Sequence, residues 1–597
     1  MMIMTETMPR RADGVLAAAQ LHHVTSRDEV EAFWRWAGER REILCADTES
    51  AGLAFHRDRH RMTQVGDQYS GWAFPPGWMG AAHEVLDSYA GRIGWFNSPY
   101  DRLVLRCQSG LTIPAWKVHD AQLACHLADS AAILALKPRT ARDIDPSALA
   151  LERELSEGMK ANGWDWRTVP DGFPPYWRYG AMDAVSTSWL LAKHLPGIMS
   201  RYRRAYELEL GYAGLCADMM GTGMMIDIPY IEQNIREIGA WQEQALAWLR
   251  DNHGVVSPAS NDQVGWALGR AGVRNLVTTP KTGKTCINKE AMDGYAAHHP
   301  EAGELIRALQ YAVKAGKILD QLRKFLVMAD DGVVHYSIHS VGAQATGRSS
   351  ITSPAIQTLD RDVRPVRGSF IPRPGYRFVS IDADQVELRL GAHFSGDAQL
   401  IEDFRRCDEA GTGFFLIFSS RLYGRQVDKR EPLYTATKNT VYSMLFGAQL
   451  NTAAATAGIS AAQAAPIYDG FKAMYPGLAK MMRDIISENE SRPGRPYVET
   501  LSGRHLTLNR DKLYTGTDYK IQGSAAEIMK QGGIDMAAAG LGPMLRMSQH
   551  DEWIAEVPEQ HADGVLRQMT DILTNTTDYR VPLTWHGSVM DHRWEKT

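Results

Sequence analysis

Residues 378–389 read Phe378-Val379-Ser380-Ile381-Asp382-Ala383-Asp384-Gln385-Val386-Glu387-Leu388-Arg389. The first four form an apolar, strand-like run, and acids follow it at once. Far downstream, Leu545 to Gln549 and Trp553 to Val557 flank His550-Asp551-Glu552, which predicts a hairpin with acids at its turn. Two separated strand ends, each presenting an aspartate, are what a two-metal phosphoryl-transfer site needs. One ion lowers the pKa of an attacking hydroxyl, and the other braces the triphosphate and the leaving pyrophosphate. His550-Asp551-Glu552 taken alone reads as an ordinary polar turn.

Between these segments lies Pro432 to Gly447. Pro432 suits the first position of a helix, and Tyr434, Lys438, Tyr442 and Phe446 then recur at every fourth residue, on one face. Aromatics at this spacing usually pack a core, but a buried ammonium among them needs a partner. A triphosphate for the lysine and a base for an aromatic ring would account for both.

A second carboxylate set stands upstream. Glu42 to Ala46 predicts a short buried strand, followed at once by Asp47-Thr48-Glu49, whose two acids share a strand face. Asn97 and Asp101 are four apart, as are Tyr179 and Asp183, so each pair would share one face of a helix. Acids beside turns are usually caps or solvated surface, and the four acids gain meaning only together. Converging on one point they would repel unless cations sat among them, and hard oxygen ligands suit Mg²⁺ or Mn²⁺. Two such ions about 4 Å apart activate water and steady the leaving oxygen of a phosphodiester. Tyr179, one turn before the last acid, would orient that water.

The bulk of the chain sets the limits. Its 597 residues exceed a single core, which predicts several domains. No apolar run reaches the ~18 residues of a membrane span, and the absence of a signal-peptide pattern at Met1 to Arg10 points to the cytoplasm. Six cysteines without a CxxC pair give neither a zinc signal nor a disulfide framework. The net charge of −5, from 65 basic and 70 acidic side chains, argues mildly against a nucleic-acid binder, although a basic cleft on an acidic body is compatible with it. Residues 1–20, polar and Ala-rich, are expected to be a partly disordered extension. Residues 21–200 mix strands and helices. From 205 to 330 the pattern is mainly helical, notably Tyr230 to Asn252 and Ala302 to Met328, and its cations read as a solvated helix face.

The N-terminal set resembles the DEDD exonuclease superfamily in its tyrosine variant, including Asp120-Ala121-Gln122-Leu123-Ala124 between the second and third motifs. Residues 345 to 557 resemble the polymerase domain of DNA polymerase I-like, family A enzymes: Asp382 to Arg389 matches motif A, Lys438 to Gly447 motif B, and His550 to Glu552 motif C. Thr346 to Ser350, Tyr497 to Arg504 and Gln522 to Glu527 support the match, and Gly221 to Asp227 opens a thumb-like region. The resemblance implies a mixed α/β multidomain protein, an RNase H-like α/β exonuclease domain (21–200) followed by a right-hand polymerase (201–597). Its thumb would span about 230–335, its palm about 336–395 and 500–597, and its fingers about 396–499.

The resemblance also implies roles. Asp382 and Asp551 would bind two catalytic ions, with Glu552 nearby. Asp47, Glu49, Asp101 and Asp183 would hold two more, with Tyr179 and Asn97 beside them. Lys438 would contact the triphosphate and protonate pyrophosphate, while Gln385, Tyr442 and Phe446 would lie around the nucleotide. Glu387 would be the gate against a 2′-OH. Arg348 and Gln522 would read the minor-groove edge of the new pair, which has acceptors in similar places for all four pairs, and His550 would touch the primer terminus. Implied partners are primer–template DNA, dNTPs and replisome proteins, with the chain itself a monomer and no membrane involved.

Three departures stand out. Tyr434 occupies the place of a motif B arginine, Phe414 or Phe415 that of a fingers histidine, and Ala383-Asp384 that of Tyr-Ser. Lys429 and Arg430 are candidates to replace the lost cations. The stretch before Asp47 has no room for the 5′-nuclease of cellular repair enzymes, which with Tyr442 suggests a bacteriophage replication enzyme. Competing readings are an exonuclease-only protein, a single-subunit RNA polymerase, opposed by Glu387 and the nuclease set, and a non-catalytic DNA-binding module, opposed by two complete sets of costly clustered acids. Relatives with tyrosine at the Tyr442 position tend to accept dideoxynucleotides, because the phenol fills the space of the missing 3′-OH. Efficient dideoxy incorporation is therefore expected, with Tyr442→Phe restoring discrimination in a chain-termination assay; equal discrimination by both proteins would remove the idea.

Overall fold

Six short strands, all but the first mostly buried, organise the first part of the chain. They are β1 (Gln20–His23), β2 (Leu44–Ser50), β3 (His60–Gly66), β4 (Ser70–Phe74), β5 (Ile93–Trp95) and β6 (Val118–Asp120), in the order β1-β4-β3-β2-β5-β6. The pairings β2–β3 and β3–β4 are antiparallel, while β1–β4, β2–β5 and β5–β6 are parallel. Every residue of β3 and β4 is buried, which requires helices on the sheet faces. The helix Pro174–Arg201, buried from Gly180 to Leu191, packs on β2, β3 and β4. The computed structural model describes residues 14–279, 281–359, 363–576 and 579–595.

Two boundaries differ from expectation. The strand expected over Glu42–Ala46 begins at Leu44 and continues to Ser50, so Asp47 and Glu49 lie within it. The ladder outlasts the apolar run because Asp47 pairs with Gln64 and Glu49 with Met62. Of the expected extension 1–20, residues 1–13 lie outside the described residues. Within Gly14 to Gln20, Leu16 is buried and its amide donates to Asp145 Oδ2 at 3.0 Å, while Gln20, exposed, opens β1.

The second part is built on an antiparallel four-stranded sheet, ordered Leu545–Gln549, Glu552–Pro558, Tyr376–Ala383, Trp585–Val589. The strand expected over Phe378–Ile381 is longer, so Asp382 too lies inside it. Val379, Ile381, Trp553, Ile554 and Val557 are sealed in the core. The helix Ala562–Asn575 packs on this sheet, and the helix Gly516–Met536 joins it to the helices Arg203–Thr222 and Val386–Ser395. Six helices between Ala398 and Ser491 form a lobe. The helices Ile228–His253 and Gly303–Met328, close to their predicted bounds, pair along their length. At their far end Asn261–Arg270 and Lys289–His298 close a separate core around Leu249, Leu268, Tyr295 and Ile306. No helix among the described residues is long and apolar enough to cross a membrane.

Buried charge ties the helix Arg203–Thr222 to the helix Gly516–Met536. Glu209, on Arg203–Thr222, receives Lys530 Nζ at 2.6 and 2.8 Å and also pairs with Arg504, all three side chains being nearly inaccessible. Its carboxyl is pulled below the usual range: the two cations outweigh burial, which alone would raise it. Removing one member of a buried pair strands the others. Glu209→Gln is expected to cost about 3 kcal/mol, read as a lower urea midpoint; an unchanged midpoint would mean that water already reaches the pair.

Candidate active sites

The central sheet sets Asp382 opposite Glu552 in register, and the amide of Ala383 donates to the carbonyl of Asp551 at 3.0 Å. His550, in the left-handed region at φ 55°, makes the tight turn and stays exposed. Asp551, just before the strand Glu552–Pro558, and Asp382, on the neighbouring strand, are thereby brought together. Burial, then Asp382 and Glu387, push the Asp551 carboxyl up to about 7 against the opposing pull of Arg348. Glu552 behaves differently. It is wholly buried, accepts the hydroxyl proton of Ser380 and lies 3.8 Å from the Arg367 guanidinium, so it does not open onto the cleft.

Around the two aspartates the expected binding residues fall into place unevenly. Arg348 and Glu387, assigned separate roles from sequence, form an ion pair at 3.2 Å. Tyr442 stands beside Glu387, Asp551 and Asp384; burial and these acids hold its phenol proton on. The helix Pro432–Leu445 begins with Pro432 in its first turn and ends at Phe446, whose ring lies 6.0 Å from that of Tyr442. Gly447 must be glycine: its φ is +88°, and a Cβ there would sit 2.4 Å from the Tyr514 carbonyl. Lys438 is exposed, 6.0 Å from the Tyr442 ring centroid, so the supposed difficulty of a lysine buried in an aromatic stripe does not arise. Gln522 is half-buried on Gly516–Met536. One turn earlier, Asp518 (missed in the sequence) is raised to about 6 by burial, with Arg348 opposing and Glu387 reinforcing.

The departures have structural partners. Asp384 pairs with Arg389 at 3.3 Å, and the same fully buried guanidinium grips Asp408 at 2.7 Å. Gln385, at φ 52°, caps the next helix and donates to Asp384 at 3.1 Å. Phe415 meets Tyr434 edge-on at 6.4 Å and Tyr442 at 5.5 Å. Arg430, a candidate replacement cation, is bound to Asp428 on an exposed turn.

In the first part, ligand oxygens of Asp47, Glu49 and Asp183 lie within 4.8 Å of one another. Asp101 accepts the Thr48 amide at 3.0 Å and the Thr48 hydroxyl at 2.7 Å, which joins it to the same strand. The expectation that Asn97 and Asp101 share a helix is corrected: Asn97 is the cap before Ser98–Ser109, in the left-handed region, and its amide donates to Asp120 at 3.3 Å. Asp120 also takes the amides of Ser98 and Gln122, so its carboxylate is committed to backbone. Tyr179 and Asp183 do share the helix Pro174–Arg201.

One cation in this site escaped the sequence reading. Lys137, on Leu136–Asp143, pairs with Asp183 and stands 3.7 Å above the Tyr179 ring. Even so, the acids are crowded. Burial and the neighbouring carboxylates push Glu49 up to about 8 and Asp47 well above the usual range. Asp101 reaches about 7 through burial, despite the two Thr48 contacts. Clustered oxygen donors that resist ionising together fit hard divalent cations, whose charge removes the repulsion. Cys125, Asp143 and His194 also converge, but Asp143 is held by Arg139 at 2.5 Å and Arg142 at 3.4 Å, and burial pushes the Cys125 thiol up to about 12. That group is an ion-pair network.

Comparison with known proteins agrees with this geometry. The DNA polymerase of Mycobacterium phage D29 is 26% identical over 574 residues, covering 92% of each chain. The DNA polymerase I of Chloroflexus aurantiacus is 29% identical over 68% of this chain and 45% of its own length. The solved POL domain of Pol1 from M. smegmatis, in complex with DNA primer-template and dNTP, shares the fold at a TM-score of 0.76 and 20% identity, over 96% of this chain and 99% of that one. The description of DNA polymerase family A matches residues 230–596, more than half of the sequence, and the chain belongs to that family.

Proposed function

We propose that this DNA polymerase extends a primer along a template with dNTPs at Asp382 and Asp551, and trims 3′ ends at Asp47, Glu49, Asp101 and Asp183, as a phage replication enzyme. The observation that carries it is the convergence of Asp382 and Asp551 beside Arg348, Glu387 and Tyr442. Support comes from the M. smegmatis relative, whose structure holds primer-template and dNTP. Mg²⁺ or Mn²⁺, two ions at each site, would supply Lewis acidity to the attacking and leaving oxygens. In this reading the lobe 396–499 is the fingers, the helical pair within 230–335 the thumb, and the sheet the palm. The six-stranded unit 21–200 is the exonuclease.

The side chains divide the work. Lys438, exposed on the fingers helix, meets the triphosphate and supplies a proton to pyrophosphate. Glu387, tied to Arg348, stands where a 2′-OH would sit. Arg348 and Gln522 read the minor-groove edge, His550 meets the primer end, and Gln385, Tyr442 and Phe446 bound the nucleotide. Glu552, braced by Ser380 and Arg367, supports the strand carrying Asp551. In the other site Tyr179, its proton held by burial and Asp183, orients water, Asn97 borders the strand end, and Lys137 steadies Asp183.

A labelled primer on a longer template tests both centres. With Mg²⁺ and dNTPs, wild type and Asp47→Ala should give template-length product and Asp551→Ala none. Without dNTPs, wild type and Asp551→Ala should shorten the primer and Asp47→Ala should not. Shortening without extension by wild type would reduce the chain to a nuclease on a disabled scaffold.

The raised acids give a pH signature. Glu49 and Asp101, raised to about 8 and 7, hold protons that an unfolded chain loses near pH ~4. Their contribution to metal-free stability therefore falls as pH rises through that window. Added Mg²⁺ should raise the melting temperature more at about pH 8 than at about pH 5.5. Asp47→Asn with Glu49→Gln should shrink the difference, and an equal rise at both pH values would show that the acids do not bind the ion.

A further inference from the structure

The turn that delivers Arg348 to the cleft is held from two sides. The chain leaves the strand Ser337–Ala343, turns through Gln344 to Gly347, and enters the strand Arg348–Thr352. Gly347 has φ +69°, and a Cβ on it would come within 2.3 Å of Arg504 Nη1, so the turn lies tightly against the buried charge set. From that set Lys530 Nζ donates to the Gly347 carbonyl at 2.7 Å.

The other side belongs to the six-stranded unit. His126, buried on the helix Ala121–Ala128, bonds through Nε2 to the Gln344 carbonyl at 2.8 Å. Gln344 Nε2 returns a bond to the Ala132 carbonyl at 2.6 Å. Since a carbonyl only accepts, His126 must carry its proton on Nε2. Burial and Arg504 push its pKa down to about 4, which keeps it neutral with that single donor. These reciprocal bonds fix the backbone of the residue four before Arg348. Beyond the turn, the Arg348 guanidinium meets Glu387, carried on a separate helix. A long side chain with rotamer freedom needs such a fixed base to hold a hydrogen bond in register.

We infer that the N-terminal unit positions Arg348 through His126 and Gln344, so that it serves base-pair reading in the polymerase cleft independently of its own carboxylates. The inference rests on the proposed minor-groove role of Arg348. His126 and Gln344 are positioning residues, acting through the turn rather than on DNA.

The test uses the full chain in an Asp47→Ala background, so that trimming does not mask extension. Single-nucleotide addition is followed from primers ending in guanine or in 3-deazaguanine, which lacks the minor-groove N3 acceptor. Loss of a hydrogen bond to a charged donor should slow the parent about tenfold on 3-deazaguanine. His126→Ala and Gln344→Ala should be slowed about fivefold on guanine and lose most of the further penalty on 3-deazaguanine. His126→Gln, which keeps an N–H donor, should restore both values. Parental rates in the alanine variants, or an equal loss on both primers as from general loosening or misfolding, overturn the inference. An Arg348→Ala protein that keeps the full 3-deazaguanine penalty overturns the minor-groove reading itself, and this inference with it.

Discussion

The register between Tyr376–Ala383 and Glu552–Pro558 is the constraint on which the catalytic half depends. It pairs Asp382 with Glu552 and leaves Asp551 one residue outside the ladder, in reach of Asp382. Side chains alternate along a strand, so a slip of one residue would turn the whole acid set to the other face. What forbids the slip is apolar: Val379 and Ile381 on one strand, Trp553, Ile554, Ala555 and Val557 on the other, are completely buried. The helical lobe between Ala398 and Ser491 and the helix Gly516–Met536 are inserted between two strands committed to each other. That topology rests the helical lobe on a strand pair whose register is set by its own core.

Both acid clusters pose the same electrostatic problem, and the chain answers it in two ways. In the six-stranded unit a cation enters the cluster itself: Lys137 binds Asp183 and covers Tyr179. In the polymerase cleft the cations engage the flanking acids, Arg348 with Glu387 and Arg389 with Asp384 and Asp408. A lysine inside a cluster lowers its resting repulsion but competes with an incoming ion. Cations on the flanks shape the rim while Asp551 keeps its raised proton affinity, which is the state that gains most from a bound metal.

Spacing made much of this legible. Residues two apart after an apolar run, or four apart on a helix, declare a shared face, which singled out Asp47 with Glu49 and Tyr179 with Asp183; Asp382 and Asp551 were found as acids at a strand end and a hairpin turn. Their exact settings were not. Apolarity marks where a strand is buried, not where its ladder stops, so β2 and the strand from Tyr376 both run on into their acids. Lys137, Arg367, Asp518 and the Glu209–Lys530–Arg504 set were invisible because each meets its partner across long stretches of chain. No local period records such contacts. The mildly acidic net charge pointed the wrong way for a similar reason: it counts charges without saying where they sit.

The substitutions that looked like isolated losses in the sequence are matched sets in space. An arginine of the resembled family is replaced by Tyr434 and a histidine by Phe414 or Phe415; the two phenylalanine rings meet edge-on, and Phe415 packs against both Tyr434 and Tyr442. A cation at either place would face an aromatic ring, fully buried on the phenylalanine side and half-buried at Tyr434, and would carry a desolvation cost. Replacing both extends the aromatic packing behind the helix Pro432–Leu445. Asp384 follows the same rule, arriving in company with Arg389 and Asp408 so that no buried charge stands alone. Local departures that agree with one another preserve a single folded answer. The helix Pro432–Leu445 thus keeps Lys438 as its exposed cation, while Tyr442 packs its ring between those of Phe415 and Phe446.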